Sequence, residues 1–280
     1  MILDGNKIKK EIASELEEAI SVLGESPHLV IIQIGENNAS DIYIQKKVEF
    51  GQKIGAKITV KYFSGEESEG EILEYINQIN HDNGIHGIIV QLPLPDKFDR
   101  QRIIEAVSKE KDVDGLNNSD FIPATTKGIV TLLQKNNIEI NNKKVIIIND
   151  SDLVGKPTAK EFKRIGAEVV ICNDETENLQ EKTRDADILI TAIGQPEIID
   201  EKYLRKGQIV VDVGISKTPK GVVGDVKKEL IDEDGHQLEL AARTPVPGGV
   251  GPMTVASLFQ NLLQAYEIQK QEAQEQMQEE

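Results

Sequence analysis

Cysteine occurs once in 280 residues, as Cys172 in the apolar run Val169-Val170-Ile171-Cys172, which excludes a disulfide framework or a thiolate metal cluster within one chain. A reducing, cytoplasmic setting is expected. Long apolar runs are also missing: none approaches the roughly 18 residues that span a bilayer. The start, Met1-Ile2-Leu3-Asp4-Gly5, has no basic stretch leading into an apolar one, so neither secretion nor membrane insertion is expected. Basic side chains number 32 against 48 acidic, and the net charge of -16 repels nucleic-acid phosphates and anionic lipid. No local basic patch offsets that charge, and a small anionic substrate would need a few well-placed cations. There is no internal repeat.

What the chain has is length enough for two α/β domains. Helical patterns near 5–22, 40–54 and 69–79 alternate with β-branched strands at 28–34, 57–63 and 87–92, the mark of βαβ units and a largely parallel sheet. After Asp114-Gly115-Leu116-Asn117-Asn118 the pattern restarts. Helices from Lys127 and Gly155 and strands at 144–148, 168–172, 188–191 and 209–213 predict a doubly wound, dinucleotide-binding type of sheet. Thr244 through Pro252 is too dense in proline and glycine for regular structure and predicts a shaped loop, with a helix from Met253 to about Ile268. The Gln- and Glu-rich 269–280 reads as a solvated helix end or frayed tail.

Four stretches, in order and spacing, resemble the bifunctional methylenetetrahydrofolate dehydrogenase/methenyltetrahydrofolate cyclohydrolase family: Tyr43-Ile44-Gln45-Lys46-Lys47, Gly87 through Pro95, Lys111-Asp112-Val113-Asp114-Gly115, and Thr244 through Thr254. The resemblance implies a catalytic, folate-binding α/β domain over 1–120, completed by a C-terminal helix and tail over 253–280, with a Rossmann-like domain inserted over 121–252 and a cleft between them. It also implies a homodimer, tetrahydrofolate derivatives as ligands, and NAD or NADP as cofactor. The activity implied is oxidation of 5,10-methylenetetrahydrofolate and hydrolysis of the methenyl product to 10-formyltetrahydrofolate. The alternatives are a cyclohydrolase with little dehydrogenase activity and a non-catalytic folate- or nucleotide-binding regulator.

Tyr43 and Lys47 are four apart and share a helix face, whereas Lys46 projects about 100° away into solvent. A tyrosine ring can stack on the p-aminobenzoyl group, and a lysine of lowered pKa can pass a proton. On its own the spacing fits a surface lysine beside a half-buried tyrosine better; the resemblance reverses that preference. Gln91 ends a strand, where an amide can either hold the lysine, as the resemblance implies, or satisfy backbone groups at the sheet end. The resemblance puts Asp114 on the pterin ring, with Asp112 positioning the turn. No histidine or further acid cluster lies near these carboxylates in sequence, so no metal is expected. Pro247, Gly248 and Gly249 are expected beside the substrate, although Pro-Gly loops are usually only turns.

On the nucleotide side the chain departs from the family pattern Gly-Arg-Ser-x-x-Val-Gly-x-Pro: it reads Asn149-Asp150-Ser151, followed by Val154, Gly155 and Pro157. An asparagine tolerates left-handed backbone, which would preserve the turn. Cys172-Asn173-Asp174 stands where the family has Cys-His-Ser, and Ala124 and Thr126 replace a cysteine and a proline. Asn149, Asp150, Ser151, Asp174, Thr191, Ile193, Gly194 and Ile215 form the expected cofactor-binding set. Asp150 and Asp174 argue for NAD, since a carboxylate accepts from ribose hydroxyls and repels a 2′-phosphate. Alternatively, Asp150 turns to solvent, Asp174 caps the next helix near Thr176, and Lys156 or an arginine holds the phosphate.

Overall fold

The computed structural model describes residues 1–219, 221–232 and 234–279; Glu280 of the expected tail lies outside them. The chain divides into two compact units, Lys10–Ala124 with Val255–Glu280, and Met1–Lys9 with Thr125–Thr254.

Helix α1 (Gly5–Ser21) buries Ile12, Leu16 and Ile20, four apart on one stripe. Then come β1 (His28–Ile34), α2 (Asn38–Lys53), β2 (Lys57–Phe63), α3 (Glu69–Asn80), β3 (Gly87–Val90) and the short α4 (Arg100–Glu105). The sheet order is β2-β1-β3, every pair parallel. Central β1 is buried along its whole length, which is why it reads as a continuous apolar run rather than an alternating one. Ser68 and Glu71 form a capping box that starts α3. Val30, Ile32, Ile72, Ile76, Ile88 and Ile103 form the core on one side of this sheet.

The other unit takes α5 (Ala124–Lys135), β4 (Lys144–Ile148), α6 (Gly155–Arg164), β5 (Glu168–Cys172), α7 (Leu179–Asp185), β6 (Ile188–Thr191) and β7 (Ile209–Asp212). A hairpin of β8 (Ser216–Thr218) and β9 (Gly221–Val223) and a short β10 (Ala242–Arg243) follow. The parallel sheet runs β10-β7-β6-β4-β5. The chain moves outward from β4 to β5 and returns on the other side to β6. The carboxyl ends of β4 and β6 therefore flank a topological switch point, where open α/β sheets bind ligands.

Helix α8 (Val250–Glu279) begins three residues before the expected Met253 and runs through the region read as a possible frayed tail, with 271–278 exposed. Pro252 sits in its first turn, where the missing N–H breaks no helical bond. Beyond Val255 its apolar stripe packs into the first unit, with the Phe259 ring 5.3 Å from that of Phe50. Strand β3 ends at Val90 rather than Leu92. Among the described residues no helix is long and apolar enough to cross a membrane.

Candidate active site

In the first unit, α2 carries Tyr43 and Lys47 on one face, and Lys47 is only 8% exposed. Its Nζ donates to Gln91 Oε1 at 3.0 Å. Gln91 follows the last residue of β3, with its N–H bonded to the Ile32 carbonyl at 2.8 Å, and its Nε2 donates to the Leu92 carbonyl at 2.8 Å. A lysine can only donate, so the amide orientation is determined by its partners. Burial pushes the Lys47 pKa down, opposed by the Asp114 carboxylate. Burial pushes the Asp114 carboxyl up, with Lys47 opposing and Asp112 reinforcing. The low-dielectric surroundings thus draw the lysine towards the neutral amine that a proton acceptor needs. Tyr43 is half-buried, and exposed Lys46 sits with its Nζ 5.4 Å from that ring's centroid.

The loop bearing Asp114 is held from two sides. Asp112, 4% exposed, accepts from the N–H groups of Gly115 at 3.1 Å and Asn117 at 2.7 Å and from the Ser119 hydroxyl at 2.9 Å. Fully buried Asn261 on α8 donates from Nδ2 to the carbonyls of Val113 at 2.9 Å and Ile122 at 3.0 Å. Asp112 therefore shapes the turn, leaving Asp114 beside Lys47.

The second unit carries the nucleotide-side residues. Asn149 does not have left-handed backbone; its side chain, not its backbone tolerance, organises the turn. Asn149 Oδ1 accepts from the Ser151 N–H at 3.0 Å, the Ser151 hydroxyl at 2.5 Å and the Gly155 N–H at 2.9 Å, while Nδ2 donates to the Ala192 carbonyl at 2.8 Å. A Cβ on Gly155 would lie 1.9 Å from the Asn149 backbone oxygen, so only glycine fits there. Asp150 is exposed, as expected if it turns to solvent, and its Oδ2 accepts from Asn173 Nδ2 at 3.0 Å. Asn173 Oδ1 accepts from the Glu175 N–H at 3.2 Å and the Thr176 hydroxyl at 3.0 Å, so Asn173, not Asp174, caps the turn after β5. Asp174 is exposed, and Lys156 is paired with Asp152 at 2.8 Å.

Thr191 is fully buried, and its hydroxyl donates to Asp225 at 2.8 Å, so its side chain braces the turn after β6 instead of facing a ligand. The same carboxylate accepts from the N–H groups of Ile193 at 2.6 Å, Gly194 at 2.9 Å and Gln195 at 3.1 Å. Buried Asp212 accepts from the N–H groups of Gly214, Asp225 and Val226, yet burial pushes its carboxyl up to about 6. Gly194 has φ +76° and no atom within 4 Å of where a Cβ would stand, which leaves its backbone open to close approach. The Asp150 carboxylate at the β4 and β5 ends, the open Gly194 backbone and Ile215, 44% exposed, are the parts of this unit left accessible to a ligand at the carboxyl ends of the strands. Pro247, Gly248 and Gly249 also belong to this unit, where the Asn6 N–H donates to the Gly248 carbonyl at 3.2 Å.

Asn173, Asp212, Asp225 and Asn261 escape the sequence reading. Asp212 and Asp225 left a trace, each being a carboxylate beside apolar β-branched residues, in Val210-Val211-Asp212-Val213 and Gly224-Asp225-Val226.

Comparison with known proteins gives consistent matches along the chain. Residues 3–114 match the family described as "Tetrahydrofolate dehydrogenase/cyclohydrolase, catalytic domain", and residues 123–270 match "Tetrahydrofolate dehydrogenase/cyclohydrolase, NAD(P)-binding domain". The bifunctional protein FolD of Moorella thermoacetica is 39% identical, over 94% of this chain and 98% of that protein. The crystal structure of the bifunctional FolD methylenetetrahydrofolate dehydrogenase/cyclohydrolase from Campylobacter jejuni superposes with a TM-score of 0.89 at 35% identity, covering 95% of this chain and 98% of that one. The Trypanosoma brucei methylenetetrahydrofolate dehydrogenase-cyclohydrolase, complexed with NADP and an inhibitor, gives 0.86 at 28% identity, covering 95% and 97%. Matched over residues 3–114 and 123–270, this chain belongs to the tetrahydrofolate dehydrogenase/cyclohydrolase family.

Proposed function

We propose that the chain oxidises 5,10-methylenetetrahydrofolate with a nicotinamide cofactor and hydrolyses the resulting 5,10-methenyl compound to 10-formyltetrahydrofolate. The observation that carries the reading is the buried Lys47 amine held on Gln91 Oε1 beside Asp114 in a chain of this family. When bound, the nicotinamide supplies a hydride acceptor. The chain's own residues do the rest.

Tyr43 stacks on the p-aminobenzoyl group and Asp114 accepts from the guanidine-like N–H pair of the pterin, so the bridge carbon is held in place. In hydrolysis, Lys47 takes a proton from the water that adds to the bridge carbon and returns it to the ring nitrogen as the carbon–nitrogen bond opens, while the adduct's hydroxyl proton leaves to solvent as the formyl C=O forms. Gln91 keeps the amine aimed. The folate-binding part comprises 10–124 with 255–280, the nucleotide-binding part 125–254, and Pro247 to Gly249 contact substrate. Asp150, Ser151, Asp174, Ile193, Gly194 and Ile215 contact the cofactor.

NAD is the preferred cofactor in this reading. Asn173 hydrogen-bonds the Asp150 carboxylate at the end of β4, Asp174 adds a second charge, and Lys156 pairs at the surface with Asp152. A homodimer accompanies the reading, to be checked by sedimentation.

The test follows absorbance of the methenyl compound. Its appearance from 5,10-methylenetetrahydrofolate with NAD, and its decay without cofactor, support both activities. Decay alone would point to a cyclohydrolase that has lost hydride transfer, in line with the altered Asn149 and Asp150. Neither process would overturn the assignment.

A further inference from the structure

The strand-turn-helix segment from β4 to α6 carries the donors with which such a turn holds a phosphate. The first N–H groups of a helix have no partner in the helix itself, and the helix dipole adds positive potential there. In this chain those donors are already engaged. Asn149 Oδ1 takes the Gly155 N–H, which opens α6, together with the Ser151 N–H and hydroxyl. The Ser151 hydroxyl oxygen in turn accepts from the Val154 N–H at 3.2 Å. The amide cannot be flipped, because Oδ1 faces donors while Nδ2 faces the Ala192 carbonyl across the switch point. Rotating Asn149 away breaks all four of its bonds at once.

We propose that Asn149 is an internal occupant of the phosphate-binding turn, so that the diphosphate of the dinucleotide competes with this side chain for the Ser151 and Gly155 donors. The inference rests on the nucleotide reading above and goes beyond it by assigning what sets cofactor affinity in this chain. An ionised phosphate is the stronger acceptor, but its gain is reduced by the four bonds that Asn149 gives up. A side chain of residue 149 that cannot accept should therefore bind the cofactor more tightly. The negative φ makes alanine as admissible as glycine at this position, which separates loss of the amide from added backbone freedom.

The experiment is calorimetric titration of wild type, Asn149→Ala, Asn149→Gly and Asn149→Asp with NAD, NADP, ADP-ribose and adenosine. Alanine and glycine variants should bind NAD and ADP-ribose at least about fivefold more tightly, and the aspartate variant at least fivefold more weakly. Adenosine, which has no phosphate, should be unaffected. A second measurement uses the unaltered protein: the Asn149 side-chain amide protons should shift in the nuclear magnetic resonance spectrum on adding ADP-ribose and stay put with adenosine. This keeps the idea testable should a substitution unfold the turn. Wild type that binds NAD, with alanine and glycine variants that bind it no better and an Asn149 amide that does not respond, overturns the competition alone. Absence of NAD, NADP and ADP-ribose binding in every variant overturns the nucleotide reading instead.

Discussion

Single side chains carry the chemistry, and two substitutions test them directly. Lys47→Met keeps the buried stem and removes the amine on Gln91, and loss of an acid–base group typically costs about 10²–10⁴-fold. Cyclohydrolase turnover should fall in that range with the melting transition retained, while Lys46→Met, which removes an exposed ammonium, stays within a few-fold in kcat. Turnover of Lys47→Met close to wild type would reject the role. On the nucleotide side, a carboxylate about 6 Å from a dianionic phosphate, at an effective dielectric of 20 to 40, costs on the order of 3–6 kcal/mol before salt and rotation reduce it. A quarter of that, about 0.8–1.5 kcal/mol, is still roughly three- to tenfold in affinity. Wild type should thus favour NAD in kcat/KM, and Asp150→Arg/Asp174→Ser should raise the NADP:NAD ratio by tenfold or more. A wild type that favours NADP, or a ratio that does not move, would count against the two carboxylates.

Elements differ in how much of themselves they display in sequence. Strands β1, β2, β4, β5 and β6 were legible to the residue because each is a compact β-branched run bounded by polar or turn residues. Helices α4 and α7, six and seven residues long, are too short to show two turns of amphipathic pattern, and the three-residue strands of the β8-β9 hairpin have no period to read. The Tyr43–Lys47 pairing was visible because both lie on one helix, whereas the Asn173–Asp150 bond joins two strand ends 23 residues apart and only the parallel register of β4 and β5 brings them together. Asn261 was hidden in the same way: on α8 it looks like one more helical polar residue, yet it ties the loop that carries Asp114 from 148 residues away. Asn261→Leu would leave the Val113 and Ile122 carbonyls without these donors, at a cost of about 1–3 kcal/mol for a buried unsatisfied group. The variant should melt earlier and show a raised KM for the folate substrate with kcat less affected. Unchanged melting and KM would mean that α8 does not hold that loop.

At the scale of the whole chain, two buried titratable groups make stability respond to acid in opposite directions, one in each compact unit. Asp212 has its carboxyl pushed up to about 6 from 3.8, chiefly by burial, so the folded form holds its proton more tightly than the unfolded one. Its contribution is fully present below about pH 3.8 and is lost as pH rises through 6, about 1–2 kcal/mol of it between pH 5 and 7.5. His86, 1% exposed, is pushed down to about 4 from 6.5, first by burial. Its Nδ1 accepts from the His28 N–H at 3.1 Å, so the neutral ring carries its proton on Nε2 and a second proton would set two donors face to face. The folded form binds fewer protons here, and stability is lost as pH falls from 6.5 towards 4. The charge of -16 adds self-repulsion at neutral pH, but that background is common to variants of each site and cancels in their differences. Equilibrium denaturation of wild type, Asp212→Asn and His86→Gln at pH 5 and pH 7.5 in matched salt should therefore give differences of opposite sign. The wild-type advantage over Asp212→Asn should be larger at pH 5, because only the wild type gains from protonation at that site. The advantage over His86→Gln should be smaller at pH 5, because only the wild type must resist protonating a ring whose Nδ1 already serves as an acceptor. Asp212→Asn also sets an amide N–H against the Val226 N–H and so destabilises at every pH, which leaves the slope, not the offset, as the quantity to compare. Two slopes of the same sign, or no slope in either, would show that these side chains do not titrate in the folded state as their burial requires.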